Sequence, residues 1–248
     1  MSEESRRVVF VAGGSGGIGS EVARRLGAAG WCTVIAGRDR DRLASAARAL
    51  GAEAVPMDAT DSAAVDAALG DVAERHGRLD GLVNCVGSIL LKPAHLTSDE
   101  DWARTVAVNL TSSFYLLRGA MRIMSRAGGG AMVFCSSVAA GRGLPNHEAI
   151  AAAKAGIEGL VRAAASTYAK QKIRVNCVAP GLVRTPLSRS LTENEASLKA
   201  STSMHPLGRI GEPGDVASAI GWLLSEQQGW VTGQVIHVDG GMAAVHAR

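Results

Sequence analysis

Short runs of β-branched and apolar residues alternate along the chain with longer alanine-rich segments of helical period, and this alternation leaves few folds open. Residues 8–12, 33–36, 54–57, 82–86, 132–135, 173–178 and 235–238 read as seven strands, with helical patterns near 19–29, 41–50, 62–76, 99–126, 147–170 and 214–225 between them. Parallel neighbours in a sheet need a crossover, usually a helix, so this rhythm predicts an α/β chain with a doubly wound, parallel, seven-stranded sheet and helices on both faces. Helix-start signals agree with it. Ser98 with Asp101 approximates a capping box, Asn146 is placed to cap the helix that follows, and Pro213 falls in a first turn. No repeat, low-complexity tract or linker interrupts residues 1–248, which points to one domain. The longest unpatterned stretch, about 182–210, follows a strand and is read as a functional loop beside the substrate.

Composition narrows the function classes. The chain has 248 residues and carries 26 Lys and Arg against 23 Asp and Glu, a formal charge of only +3, which argues against nucleic acid as a partner. Cys32, Cys85, Cys135 and Cys177 lie in or beside separate apolar runs without paired spacing, so free thiols in a reducing cytoplasm are expected and no metal site is assigned. Residues 1–7 are acidic and then basic, the apolar run 8–12 is too short for a signal segment, and no stretch approaches a membrane span.

Directly after the first strand comes Gly13-Gly14-Ser15-Gly16-Gly17-Ile18-Gly19, and a helix opens from Ser20. Glycines let the backbone turn sharply and approach a pyrophosphate, while the helix N-terminus aims N–H groups and the positive dipole end at it. A dinucleotide is the implied ligand.

The glycine spacing resembles that of the short-chain dehydrogenases/reductases, with Ala12 where the family usually has threonine. The resemblance continues in order through Asp58, Asn84-Cys85-Val86-Gly87, Asn109, Ser136-Ser137, Lys154, Pro180-Gly181 with Thr185, and Gly208-Arg209-Ile210-Gly211-Glu212-Pro213. Val231-Thr232-Gly233-Gln234 and Asp239-Gly240-Gly241 complete it. The chain is similar to the bacterial 3-oxoacyl-carrier-protein reductase branch, and the resemblance implies a Rossmann-type fold, nicotinamide-dependent oxidoreduction of a small molecule, and a homotetramer or homodimer.

By that resemblance the cofactor is held by Gly13, Ser15, Gly17, Ile18 and Gly19, with Asp58 accepting from the adenine amino group and Asn84 and Gly87 lining the ribose. Val183 and Thr185, following Pro180 and Gly181, would hold the carboxamide. The second strand ends at Gly37, followed by Arg38, whose planar charged fork suits a 2′-phosphate, so NADP(H) is expected in preference to NAD(H). Asp39 is the competing group, since a shift of one residue would let it face the ribose.

Asn109, Ser137 and Lys154 fill all but one of the family's catalytic places. The remaining one, a tyrosine, falls four residues before the lysine, on the same helix face, and that position is Ile150. Isoleucine donates no proton, whereas Lys154 keeps a tyrosine-independent role in holding the nicotinamide ribose. Three explanations compete. His147, seven residues before Lys154, serves as a replacement acid; the substrate, an imine or an activated carbonyl, needs no acid from the protein; or the chain binds NADP(H) without turnover, as a subunit or sensor. Arg184 and Arg189 in the 182–210 loop are positioned to meet an acidic substrate tail.

Overall fold

A computed structural model describes residues 6–245; the acidic start of the chain lies outside them. Seven strands, β1 (Val8–Ala12), β2 (Cys32–Gly37), β3 (Glu53–Pro56), β4 (Gly81–Asn84), β5 (Gly130–Cys135), β6 (Ile173–Pro180) and β7 (Val235–Val238), form one sheet in the order β3-β2-β1-β4-β5-β6-β7, parallel throughout. The helices are α1 (Gly17–Ala28), α2 (Arg40–Leu50), α3 (Ser62–His76), α4 (Asp99–Val106), α5 (Ser112–Ala127), α6 (Glu148–Tyr168), α7 (Arg189–Thr192), α8 (Glu195–Met204) and α9 (Pro213–Leu224).

Every residue of β1 is buried, because strands covered on both faces have no solvent side. Its alternate side chains divide between two apolar layers. Val8, Phe10 and Ala12 pack with Val65 and Leu69 of α3, Leu116 and Met124 of α5 and Ile157 of α6, whereas Val9 and Val11 pack with Val22 and Leu26 of α1, Leu43 of α2 and Ile220 of α9. Each such side chain, removed from water, contributes on the order of 1.5–3 kcal/mol, so the two layers fix which face each helix occupies.

Three expectations are corrected. The helical pattern 99–126 is not one α-helix: a π-helical turn at Ala107–Thr111 separates α4 from α5, and Asn109 sits in it. Asn146 does not cap α6; it takes a left-handed conformation (φ 63°), and His147 occupies the cap position. The stretch 182–210 is not a structureless loop. Thr185 and Ser188 bond reciprocally around a short 3-10 turn, Pro186–Ser188, and Asn194 accepts from Ser197 N–H (2.9 Å) to start α8, so local capping by polar side chains builds helix where apolar periodicity is weak. Ser98 caps α4 as expected, accepting from Asp101 N–H, and Pro213 opens α9.

Three short-range ion pairs brace two of the helices that cover one face. Glu21 of α1 bonds Arg24 and Arg25, and Asp215 of α9 bonds Arg209 and the Glu212 N–H. The Arg24 guanidinium above all holds the Glu21 carboxyl at about 2, and Arg209 holds Asp215 at about 2. Because both folded values are depressed, their stabilisation is complete above the ordinary values of 4.5 and 3.8 and is lost as pH falls toward 2. Thermal melts are therefore expected to lose midpoint steeply over that acid range, and Asp215→Asn is expected to reduce the loss while lowering stability at neutral pH; a variant with an unchanged acid slope would contradict this.

Candidate active site

The turns that leave the C-terminal ends of β1 and β4 go to opposite faces of the sheet, and a cleft of about 750 Å³ opens there. Gly13, Ser15, Gly17, Ile18, Gly19, Arg38, Asp58, Gly87 and Thr185 all line it. Gly13 is required by both backbone and space: its φ is +75°, and a Cβ would stand 2.8 Å from the main-chain carbon of Cys85. At Gly17 a Cβ would stand 2.8 Å from Thr185 Cγ2, so that glycine lets the 185–187 segment close over the start of α1. No side chain caps α1 and its first turn holds no acid. Its leading N–H groups and dipole are thus left for an anion, which fits the diphosphate of a dinucleotide.

At the end of β2, Arg38 lines the cleft and makes no ion pair among the described residues. Asp39 is used elsewhere. It caps α2, its Oδ1 accepting from Arg42 N–H at 3.0 Å, and the Arg42 side chain donates to Ser15 O at 3.1 Å. Arg42, which lines the cleft, went unnoticed in the sequence because its link to the glycine turn spans 27 residues. Across the cleft, Asp58 Oδ1 accepts from the Thr60 N–H and hydroxyl. Burial pushes this carboxyl up, but the two Thr60 bonds and Arg38 outweigh it and hold it below its ordinary value.

Other positions face inward. Asn84 is buried: its amide donates to Ser113 Oγ (2.9 Å) and accepts from Val86 N–H (2.9 Å), so its side chain shapes the turn after β4 and does not line the cleft. Pro180 ends β6, and Val183 is buried in an isolated bridge to Gly211. At Gly181 a Cβ would stand 2.5 Å from His205 Nε2, so the backbone there abuts the edge of that ring. No sequence motif marks that histidine. It is buried, accepts from Leu182 N–H through Nε2 (3.2 Å) and donates through Nδ1 to Ser201 O (2.7 Å), so it latches the end of α8 to the segment leading to Thr185.

Asn109, Ser137 and Lys154 stand on three different elements. Asn109 is fully buried in the π turn, donates to Thr105 O and Ser88 Oγ and accepts from Ser88 N–H. Ser137 follows β5, its hydroxyl accepting from Ala139 N–H at 3.2 Å. Lys154 of α6 is 7% exposed, and its ammonium donates to Cys135 O at 2.8 Å. Burial pulls this ammonium below the usual lysine range against the opposing influence of the Cys135, Cys177 and Cys85 thiols. The same strand ends bring Cys85 and Cys135 together, Sγ to Sγ at 3.8 Å, a pairing their separation in sequence concealed.

Ile150 lies one helical turn before Lys154 and is 6% exposed, so a packed hydrocarbon occupies the stripe. His147 does not join this group. It precedes the helix, its Nδ1 bonds the Pro145 carbonyl at 2.7 Å, and no hydrogen bond connects it to Ser137, Asn109 or Lys154 among the described residues. Arg184 and Arg189, expected to await an acidic substrate, are paired with Glu212 and Glu193.

The sheet order and the crevice define a Rossmann-like α/β protein. Residues 12–243 match the family model described as "Enoyl-(Acyl carrier protein) reductase". The chain is 39% identical over 246 residues (97% of this chain, 98% of the other) to a cis-4-hydroxycyclohexanecarboxylate dehydrogenase of Sinomonas cyclohexanicum. It is 35% identical over 242 residues (97% and 94%) to the 3-oxoacyl-[acyl-carrier-protein] reductase MabA of Mycobacterium bovis. A third relative, named an inactive 2-(S)-hydroxypropyl-CoM dehydrogenase 2, from Xanthobacter autotrophicus, is 38% identical over 230 residues (90% and 100%). Among solved structures, a variant of actinorhodin polyketide ketoreductase with NADPH superposes with a TM-score of 0.94 at 29% identity, covering 99% of this chain and 100% of that one. The chain belongs to the short-chain dehydrogenase/reductase family of oxidoreductases.

Gly13→Ala tests the glycine turn. Holding alanine in the left-handed region costs on the order of 1–2 kcal/mol before the contact with Cys85 is counted, and a chain of this size loses about 2–4 °C of Tm per kcal/mol. A calorimetric midpoint equal to that of the parent would refute the close approach of β1 and β4 at this point.

Proposed function

We propose that this protein is an NADP(H)-dependent oxidoreductase acting on a small substrate, either a carbonyl/alcohol or an imine, with an altered proton-donor step. The observation that carries this reading is Ile150 buried one turn from Lys154, whose ammonium stands close to Gly87 in a cleft also lined by the glycine turn and Arg38. When bound, the reduced nicotinamide supplies a hydride. The first helical turn of α1 would hold the diphosphate, Arg38 the 2′-phosphate, Asp58 and Gly87 the adenosine side, and Thr185 the carboxamide.

Within that frame each side chain has a limited task. Lys154, fixed on the Cys135 carbonyl, presents its remaining donors to ribose hydroxyls without help from a phenol. Ser137 offers a hydroxyl to the substrate's reacting atom, and Asn109 holds the Ser88 segment beside it. A neutral ketone needs a proton as its oxygen becomes an alkoxide, and Ile150 cannot give one. With His147 bound to Pro145, the imine branch is favoured: an iminium carries its proton already and becomes a neutral amine when it accepts hydride.

A second reading, an NADP(H)-binding subunit or sensor without turnover, is favoured by one observation, the 38%-identical relative that bears the word inactive in its name. The cytoplasm and a homotetramer or homodimer remain part of the proposal. Among the described residues, no helix is long and apolar enough to cross a membrane.

Fluorescence titration is expected to show tighter binding of NADPH than of NADH. Arg38→Ala is expected to remove a charge-assisted phosphate contact of about 1.5–3 kcal/mol, roughly ten- to a hundredfold in NADPH affinity, with NADH affinity unchanged. Equal losses for both nucleotides would defeat the assignment of Arg38.

Turnover is tested separately. The parent protein is expected to reduce cyclic imines with NADPH in preference to ketones, and Ile150→Tyr is expected to raise ketone reduction by about 10²-fold or more, the usual worth of a positioned general acid. Absence of turnover in the parent across carbonyls and imines, with NADPH bound, would leave the non-catalytic reading in its place.

A further inference from the structure

On the rim of the sheet opposite the cleft, Cys32 opens β2, Glu53 opens β3 and His76 ends α3. Among the described residues these three place one sulfur, one carboxylate oxygen and one imidazole nitrogen within 4.8 Å of one another. We propose that they form a binding site for a borderline divalent transition-metal ion of the zinc class, with water completing the coordination. No local spacing signals a metal here, because the three residues are dispersed over 45 positions and come together only where β2 pairs with β3 and α3 ends.

The donor set is selective. Thiolate, imidazole and carboxylate together suit zinc and its neighbours, whereas calcium and magnesium prefer oxygen alone. The spacing also fits. With zinc bonds of about 2.3 Å to sulfur, 2.0–2.1 Å to nitrogen and 2.0–2.2 Å to oxygen, a tetrahedron has edges of about 3.6 Å from sulfur to oxygen and about 3.4 Å from nitrogen to oxygen. Cys32 Sγ lies 3.5 Å from Glu53 Oε1, and His76 Nε2 lies 3.1 Å from Glu53 Oε1 and 3.3 Å from Oε2. The thiol and the imidazole already converge on the Glu53 carboxylate, so a metal would take the place of the protons that now bridge them. No large rearrangement of the backbone is demanded.

All three side chains are partly buried, which limits competition from water while leaving a path for entry. Two cations, Arg6 and Arg75, act on the Cys32 sulfur and oppose a metal there. Arg75 donates to Glu53 Oε2, but its Nε and Nη2 are held by Asp71 Oδ2 at 3.1 and 2.8 Å, so the guanidinium keeps a partner if Glu53 turns to a metal. Burial and the Glu53 carboxylate push the Cys32 thiol up, so metal uptake must displace its proton. A bound ion would clamp the edge strand β3 to β2 and α3, far from the nucleotide cleft, so the proposal stands or falls independently of the oxidoreductase reading.

The test is a titration of the full chain, stripped with a chelator and kept reduced without thiols, with Co²⁺ as the probe and Zn²⁺ as competitor. One equivalent of Co²⁺ is expected to give a near-ultraviolet sulfur-to-cobalt charge-transfer band that Zn²⁺ abolishes. Cys32→Ser is expected to remove the band, His76→Ala to weaken binding about tenfold or more, and Arg75→Ala to tighten it. A Cys85→Ser/Cys135→Ser double variant is expected to keep the band. The proposal is overturned if the parent shows no band, if the band survives in Cys32→Ser, or if it disappears in the double variant, which would assign the metal to the cleft thiols. Should Cys32→Ser fail to fold, His76→Ala decides: unchanged affinity there rejects the site.

Discussion

The close approach of two main chains at Gly13 is the constraint on which the site depends. Gly13 lies where β1 ends, its N–H donates to Ala36 O at the end of β2, and its Cα stands against the Cys85 peptide at the end of β4. Because the chain leaves these neighbouring strands in opposite directions, the two turns part and form a crevice walled by backbone. A side chain at residue 13 would fill the bottom of that crevice. The apolar layers above and below the sheet hold the three strands in register, so the core and the site share one set of contacts.

What could be read from the sequence was what local chemistry determines. The strand and helix rhythm, the glycine turn and the Ser98 and Pro213 helix starts each lie within a few consecutive residues. The readings left open or overturned depended on which partner each polar side chain takes, near or far in the chain. The sequence allows Asp39 to face a ribose, but Arg42 N–H occupies its carboxylate, and the Asn84 amide is taken by Ser113 Oγ at 2.9 Å. Helices within 182–210 escaped notice because polar caps at Thr185 and Asn194, not an apolar stripe, define them. His205 carried no sequence signal at all, since its function is to accept from Leu182 N–H across 23 residues.

The isoleucine at 150 sits in surroundings that show no sign of collapse. Lys154 is satisfied by a main-chain carbonyl, Ser137 by a main-chain N–H, and Asn109 by Ser88 and Thr105. None of these bonds involves the side chain at 150. The hydrocarbon at 150 therefore leaves Lys154, Ser137 and Asn109 with their partners, in contrast to the loss of a residue from a fully coupled network. On the proposed reading, the groups that would hold a nucleotide do not depend on the side chain at 150 for their own hydrogen bonds.

The π turn at Asn109 shows how a single residue divides a long helix between two neighbours. α4 packs against α6, and α5 packs against α3. One residue of α-helix corresponds to about 100° of rotation, so the widened turn rephases the second half relative to the first. Removing one residue between 107 and 111 would swing Leu116, Ala120 and Met124 out of the core and rotate the Asn109 amide off Ser88 at the same stroke. Length variation, which surface connections absorb freely, is thus barred from the middle of this segment, and the helix counts its residues as strictly as a strand keeps its pairing.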